Sequence, residues 1–265
     1  MNKIDVVNDK IVEKKINKNI IVDEQLKSDL FGINKIAIKV LKNSDIILNI
    51  DVEKLIKLQI DINIKENCNC NMYIYTNGEK AKIKYTYSIL ENGNLNIFKY
   101  NDVTSINEMV EINLDGYNAK IDYLFKSIGK NKESYDYAIF HNHKNTYSSI
   151  KNNCVNLTGF VNIQISSNIP KDIIDCICNQ YNRIINLTNN KCEIRPILYI
   201  DTDSVDANHS ALIGDFEAEE LFYLETMGIS KDDAYKLLIN GFLINGINDK
   251  FLSKKISETI KKYWR

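Results

Sequence analysis

From about Ile33 to Leu212 the chain is a series of short alternating runs. Residues 36–40, 46–52 and 57–64 each carry isoleucine, leucine or valine at every second position. A period of two places those side chains on one face of an extended strand, so each run predicts a half-buried β-strand. The texture continues through residues 72–75, 81–87, 95–100, 109–114, 119–125, 137–140 and 160–166. Turns are predicted where Asn77 meets Gly78, Asn92 meets Gly93, Asp115 meets Gly116, and at Gly129, Lys130 and Asn131. Many short strands with only two prolines suit a β-sandwich or a β-solenoid, and with no exact residue repeat the periodicity alone does not choose.

The period changes near residue 215. Asp215 is placed to cap a helix whose first turn holds Glu217, Glu219 and Glu220, with Gly228 as its left-handed stop. Ser230 reads as the next N-cap, with Asp233 at the capping-box position. Ala234, Leu237, Leu238 and Phe242 then form one amphipathic stripe. A third helix is predicted from about Asp249, with Leu252, Ile256, Ile260 and Trp264 on one side. These helices are expected to pack on one another and cap the solenoid end, with apolar surface left over.

Composition narrows the function. Thirty-four basic against 35 acidic residues give a net charge of -1, which argues against a nucleic-acid or membrane-surface partner. The polar start and the absence of a long apolar run predict a cytoplasmic chain. Six cysteines in such a chain read as free thiols or metal ligands rather than disulfides. No phosphate-binding G-x-x-x-x-G-K-[ST] loop occurs, so any ATP hydrolysis belongs to a partner. His141, Asn142 and His143 spell a nuclease-like triplet without the downstream metal-binding helix, and acids scattered among lysines do not make the carboxylate pair of a β-helix glycosidase.

Residues 207–243 carry the most specific signal: His209, Gly214, Leu221 to Leu224, Gly228 and Ile229, Ala234, Leu237 and Leu238, Gly241 and Phe242, in that order. This pattern resembles the C-terminal signature of the SufB/SufD family of iron–sulfur cluster assembly proteins. The resemblance implies a right-handed parallel β-helix, here a core over 33–214 after an N-terminal segment 1–32, and a small C-terminal α-helical domain over 215–265. It further implies that this domain docks a SufC-like ABC-type ATPase, with Leu221, Phe222, Tyr223, Gly241 and Phe242 at or near the interface. Apo iron–sulfur proteins would receive the cluster, with [4Fe–4S] favoured over [2Fe–2S].

Upstream, residues 178–188 resemble the Q-x-N-R-x-L-L strand and turn of the SufD branch. Where the SufB branch has a cluster-building cysteine this chain has Tyr181, and where SufB has a glutamate it has Ser210. The cysteine that many SufD proteins carry two residues before the shared histidine is Ala207. His209 remains. Iron is held mainly by thiolates with histidine as an occasional substitute, so the ligand candidates are Cys192, His209, Cys178 and Cys176. Cys176 and Cys178, like Cys68 and Cys70, are C-x-C pairs whose thiols share one strand face. The separation of Cys192 from His209 is read as close to one solenoid rung, which predicts that the two are stacked neighbours. Two arrangements follow: a homodimer meeting near Tyr199, Asp201 and His209 and pooling ligands across a two-fold axis, or a SufD-like adaptor beside a SufB-like chain.

Overall fold

The computed structural model describes residues 1–25, 33–53 and 56–263. Trp264 and the end of the expected N-terminal segment lie outside the described residues. The strands are β1 (Asn2–Val7), β2 (Lys10–Lys15), β3 (Ile20–Gln25), β4 (Asn34–Val40), β5 (Ser44–Val52), β6 (Ile56–Ile64), β7 (Asn69–Ile89), β8 (Asn94–Leu114), β9 (Lys120–Gly129), β10 (Lys132–His141), β11 (Tyr147–Asn156), β12 (Phe160–Ile169), β13 (Cys176–Asn186), β14 (Glu193–Ile200) and β15 (Val205–Gly214). Three helices follow: α1 (Ala218–Thr226), α2 (Lys231–Ile244) and α3 (Lys250–Tyr263).

The strands wind into a parallel β-solenoid with two faces. One face runs β1, β5, β7, β8, β9, β11, β13, β15, and the other β4, β6, β7, β8, β10, β12, β14. Strand formation begins at Asn2, upstream of the expected core. β7 and β8 belong to both faces. At Asn77 and Gly78, where the sequence predicts a turn, the chain instead bends from one face to the other within a single strand. Gly78 sits at φ +127°, and a Cβ there would lie 1.9 Å from the Val52 carbonyl oxygen, so the corner demands glycine.

The rungs are unequal in length. Asn69 pairs with Asn94 early in the stack, whereas Asn162 pairs with Glu193 near its end, a visibly longer step along the chain. That drift erases any fixed sequence period while each strand keeps its own alternation. Parallel in-register pairing aligns inward residues in columns, such as Ile46, Met72, Ile97, Tyr123 and Ile150. All of these are buried, and their burial is the main stabilising term of a stack whose rungs cannot cover themselves.

The two ends differ. At the first, β2 pairs antiparallel with β1 and β3 antiparallel with β4, so both outermost edges are covered by short reversed strands. At the last, β14 and β15 each pair on one side only. Pro196 in β14 suits such an edge, since proline cannot supply a ladder N–H.

The helices do not cap the open end. α2 and α3 lie along the outer surface of the β1-to-β15 face, where Tyr75, Tyr100, Val155 and Ile185 join Ile239, Leu243, Leu252, Ile256 and Ile260 in a second core, and α1 packs on α2. The reason is visible in the sheet, whose outward columns carry aromatic and aliphatic residues at these positions. Lys126, fully buried, donates from Nζ to the Phe242 carbonyl at 2.8 Å and so ties the end of α2 to the sheet. The N-cap of α1 is Glu217 rather than Asp215, and the Glu217 N–H donates to Glu220 Oε2 at 3.2 Å. Asp215 instead accepts from the Phe216 N–H and the Tyr235 hydroxyl, both at 2.7 Å. Ser230 caps α2 as its position predicts, accepting from the Asp233 N–H at 3.3 Å.

Candidate functional site at the open end of the solenoid

The last rung leaves its inner wall half covered. Ile194, Pro196, Leu198 and Ile200 of β14 and Val205, Ala207, His209, Ala211 and Ile213 of β15 continue the inward columns, yet among the described residues no further rung buries them. His209 pairs in register with Gln180 and so sits on the inward column, exposed because the stack ends there. Gln180 itself is fully buried and donates to Ser167 Oγ at 2.8 Å, while its Oε1 has no hydrogen-bond partner among the described residues. Tyr199 is exposed on the outer side of the β14 edge, and Asp201, just beyond it, donates its backbone N–H to the Ile169 carbonyl. Tyr199, Asp201 and His209 therefore all lie at the rim of the open end.

The thiols are deeper. Cys176 and Cys178 do share one face, but that face is the interior: both are buried. The Cys176 thiol donates to the His143 carbonyl at 3.6 Å and the Ile174 carbonyl at 3.5 Å, and lies 3.2 Å from Thr146 Oγ1. Thr146 and Ser148 in turn bracket the ring of His141, at 2.8 and 3.0 Å, and burial pulls that imidazole down to about 4. Burial pushes the Cys178 thiol up, against hydrogen bonds with Ser167 and Ser148. Cys192, between β13 and β14, is half-buried and accepts from Asn156 Nδ2 at 3.4 Å; burial raises its pKa as well.

Cys192 and His209 are not stacked neighbours. The rung is much longer than their separation, since Cys176 pairs with Val205 across the last step, so the residue beneath His209 is Gln180 and the neighbour of Cys192 is Asn156. Among the described residues no three His, Cys, Asp or Glu side chains converge as a metal site. Tyr181 and Ser210, the positions where SufB ligands would stand, are register partners on the outer surface. Cys68 and Cys70 are buried in an early rung, the latter pushed up to about 12.

The docking candidates divide. Phe222 and Tyr223 on α1 are 67 % and 63 % exposed, Leu221 is partly covered, and Met227 and Leu237 are exposed as well. Gly241 is exposed, whereas Phe242 packs edge-on against Phe216 with Lys126 and Arg183 over its ring.

Sequence reading missed a polar layer inside the solenoid. Lys99 and Glu108 form a 2.6 Å ion pair with both side chains fully buried, Lys99 lies 3.7 Å over the Tyr85 ring, and Asn101 donates to Glu108. Glu133 accepts from Ser127 and Tyr135 and is raised to about 7 by burial. The parity of each strand carries the signal: Lys99 follows Leu95 and Ile97 on the inward side of β8.

The family model described as "SUF system FeS cluster assembly, SufBD core domain" matches residues 27–242. The chain is 38 % identical over 71 residues to iron–sulfur cluster assembly protein SufD of Bacillus subtilis (strain 168), covering 26 % of this chain and 16 % of that protein. It is 42 % identical over 65 residues to an iron–sulfur cluster assembly SufBD family protein of Mycobacterium leprae (strain TN), covering 24 % and 17 %. It is 28 % identical over 103 residues to a SufD of Plasmodium falciparum (isolate 3D7), covering 38 % and 7 %. Each match spans less than a fifth of the relative's length.

Proposed function

From the premise that this chain belongs to the SufBD family of the SUF iron–sulfur cluster assembly system, we propose that it is a scaffold that pairs end to end with a second SufBD-type chain and docks a SufC-like ABC-type ATPase. The observation that carries this reading is His209 on the inward column of a rung that nothing covers. A lone imidazole cannot hold a cluster, and among the described residues no second ligand lies beside it. A partner end bringing thiolates or a second imidazole would complete the set, with Cys192 as this chain's least buried thiol. The nascent cluster, [4Fe–4S] in preference to [2Fe–2S], is cargo for apo iron–sulfur proteins rather than a resident group. ATP hydrolysis would come from the partner, bound on the exposed patch of Phe222, Tyr223 and Leu221 with Gly241 nearby. No helix among the described residues is long and apolar enough to cross a membrane, and a cytoplasmic location is part of the proposal.

A second reading, the SufD-like adaptor without its own cluster, is favoured by the full burial of Cys176 and Cys178, the first of which satisfies its thiol on internal carbonyls. One experiment separates them. The chain is purified anaerobically with a SufC-like ATPase, alone and with a SufB-like chain, and native mass, iron and sulfide are measured. Iron and sulfide on a complex of two copies of this chain, lost in His209→Ala, support the scaffold. Iron only when the SufB-like chain is present, and unchanged in His209→Ala, replaces it with the adaptor. A monomer that binds neither ATPase nor iron rejects both.

A further inference from the structure

The solenoid face opposite the helices carries a row of lysines that its own acids leave alone. Elsewhere on this face lysines are matched across strands: Lys35 pairs with Asp61, and Lys84 with Glu111 at 3.1 Å. Lys57 and Lys132 at the starts of β6 and β10, and Lys80 and Lys82 just past the corner of β7, are exposed and make no ion pair with a described residue. The register brings them together: Lys57 lies directly beside Lys82, while Lys80 and Lys132 flank Ser105. Like charges on neighbouring strands destabilise a sheet, and the rungs are only ~4.8 Å apart, so a cluster in a chain of net charge -1 is a local cost without a structural return. These lysines line an open trough with Ser105, Asn107, Asn131 and Ser134, all able to donate hydrogen bonds. Past Lys57 and Lys82 the trough continues to Ile33 and Met109, 43 % and 42 % exposed.

We propose that this trough binds an extended acidic peptide segment of a partner protein, its carboxylates on the four lysines and an apolar side chain on Met109 and Ile33. The open shape argues for a chain laid across the sheet rather than an enclosed small molecule. Charge complementarity would come mainly from the partner, and the surface is separate from the open end and from α1.

The test is fluorescence anisotropy with a fluorescein-labelled Glu-Glu-Leu-Glu-Glu-Leu-Glu-Glu peptide on the full chain at about 0.15 M salt, where diffuse surface charge is largely screened. Lys82→Glu/Lys132→Glu, and the milder Lys57→Ala/Lys80→Ala, should each weaken binding about tenfold or more, whereas Lys42→Glu/Lys171→Glu, which changes net charge as much as the first pair at exposed sites elsewhere, should leave it within about twofold. The proposal is overturned if wild-type protein does not bind the peptide, if the control pair weakens binding as much, or if tripolyphosphate binds at the trough and the peptide does not.

Discussion

The buried Lys99–Glu108 pair offers the most quantitative test of the fold. Both groups are fully excluded from water, and burial holds the Lys99 pKa at about 8 despite the nearby carboxylate. Removing one partner leaves the other charge uncompensated, a change that costs about 3–5 kcal/mol in buried pairs. The two single variants should differ. Lys99→Met strands the Glu108 carboxylate with only the Asn101 amide at 3.2 Å, and should reach that full range. Glu108→Gln removes the attraction that raises Lys99, so the lysine loses its proton near neutral pH. Each pKa unit is about 1.4 kcal/mol, and Lys99 has only about one unit to fall before deprotonation caps the loss at roughly 1–2 kcal/mol, plus the lost hydrogen bonds. The double variant Lys99→Met/Glu108→Leu should recover to within about 1 kcal/mol of wild type, because a packed apolar pair needs no counter-charge. Urea unfolding followed by circular dichroism, with constant slope across variants, measures wild type, the two single variants and the double variant. Single variants both within about 0.5 kcal/mol of wild type, the range of an ordinary surface change, would refute the reasoning, as would a double variant no better than the worse single.

The pH dependence follows from Glu133, whose folded pKa of about 7 lies above its ordinary value, so its contribution is complete below about 4.5 and fades as pH rises through 7. His141, held down to about 4 by burial, contributes in the opposite sense as pH rises from about 4 to 6.5, so the Glu133 part is read by difference: melting temperature should rise more steeply with pH between about 4.5 and 7 in Glu133→Gln than in wild type. Gly78→Ala should cost several kcal/mol, read as a loss of soluble protein or a large drop in melting temperature, because its Cβ would overlap the Val52 carbonyl. Lys126→Met should loosen α2 from the sheet by about 1–3 kcal/mol, seen as faster amide exchange in 231–244 with unchanged exchange in β11. Phe222→Asp/Tyr223→Asp should abolish co-purification with a SufC-like ATPase without shifting the melting temperature, since both rings are exposed.

Most strands from β4 to β12 were legible because their apolar residues alternate, whereas β1 to β3 lie upstream of the expected core and β11 carries little apolar alternation; the helices were legible because Ser230, Gly228 and the stripe from Ala234 to Phe242 follow local rules. The solenoid itself was legible only by resemblance, since rungs of unequal length leave no period to find. The same feature defeated the pairing of Cys192 with His209, which assumed a rung far shorter than the step from Cys176 to Val205. Asn77 and Gly78 misled for a different reason: a glycine with positive φ serves a corner as well as a turn, and only the second strand face tells them apart. Where the helices dock was hidden because one stripe can cover an end or a side equally well.

The reversed strands β2 and β3 at one end have a consequence for how many chains can join. A stack with bare edges at both ends would add copies head to tail without limit, each new rung offering the next a template. Here one end closes on β2 and β3, whose antiparallel sense does not continue the parallel ladder, so if chains pair end to end as proposed, the β14 and β15 ends are the ones left to meet, and joining two such ends would leave no further parallel edge to extend. On that proposal the reversed pair would act as a chain terminator in an architecture otherwise suited to fibres.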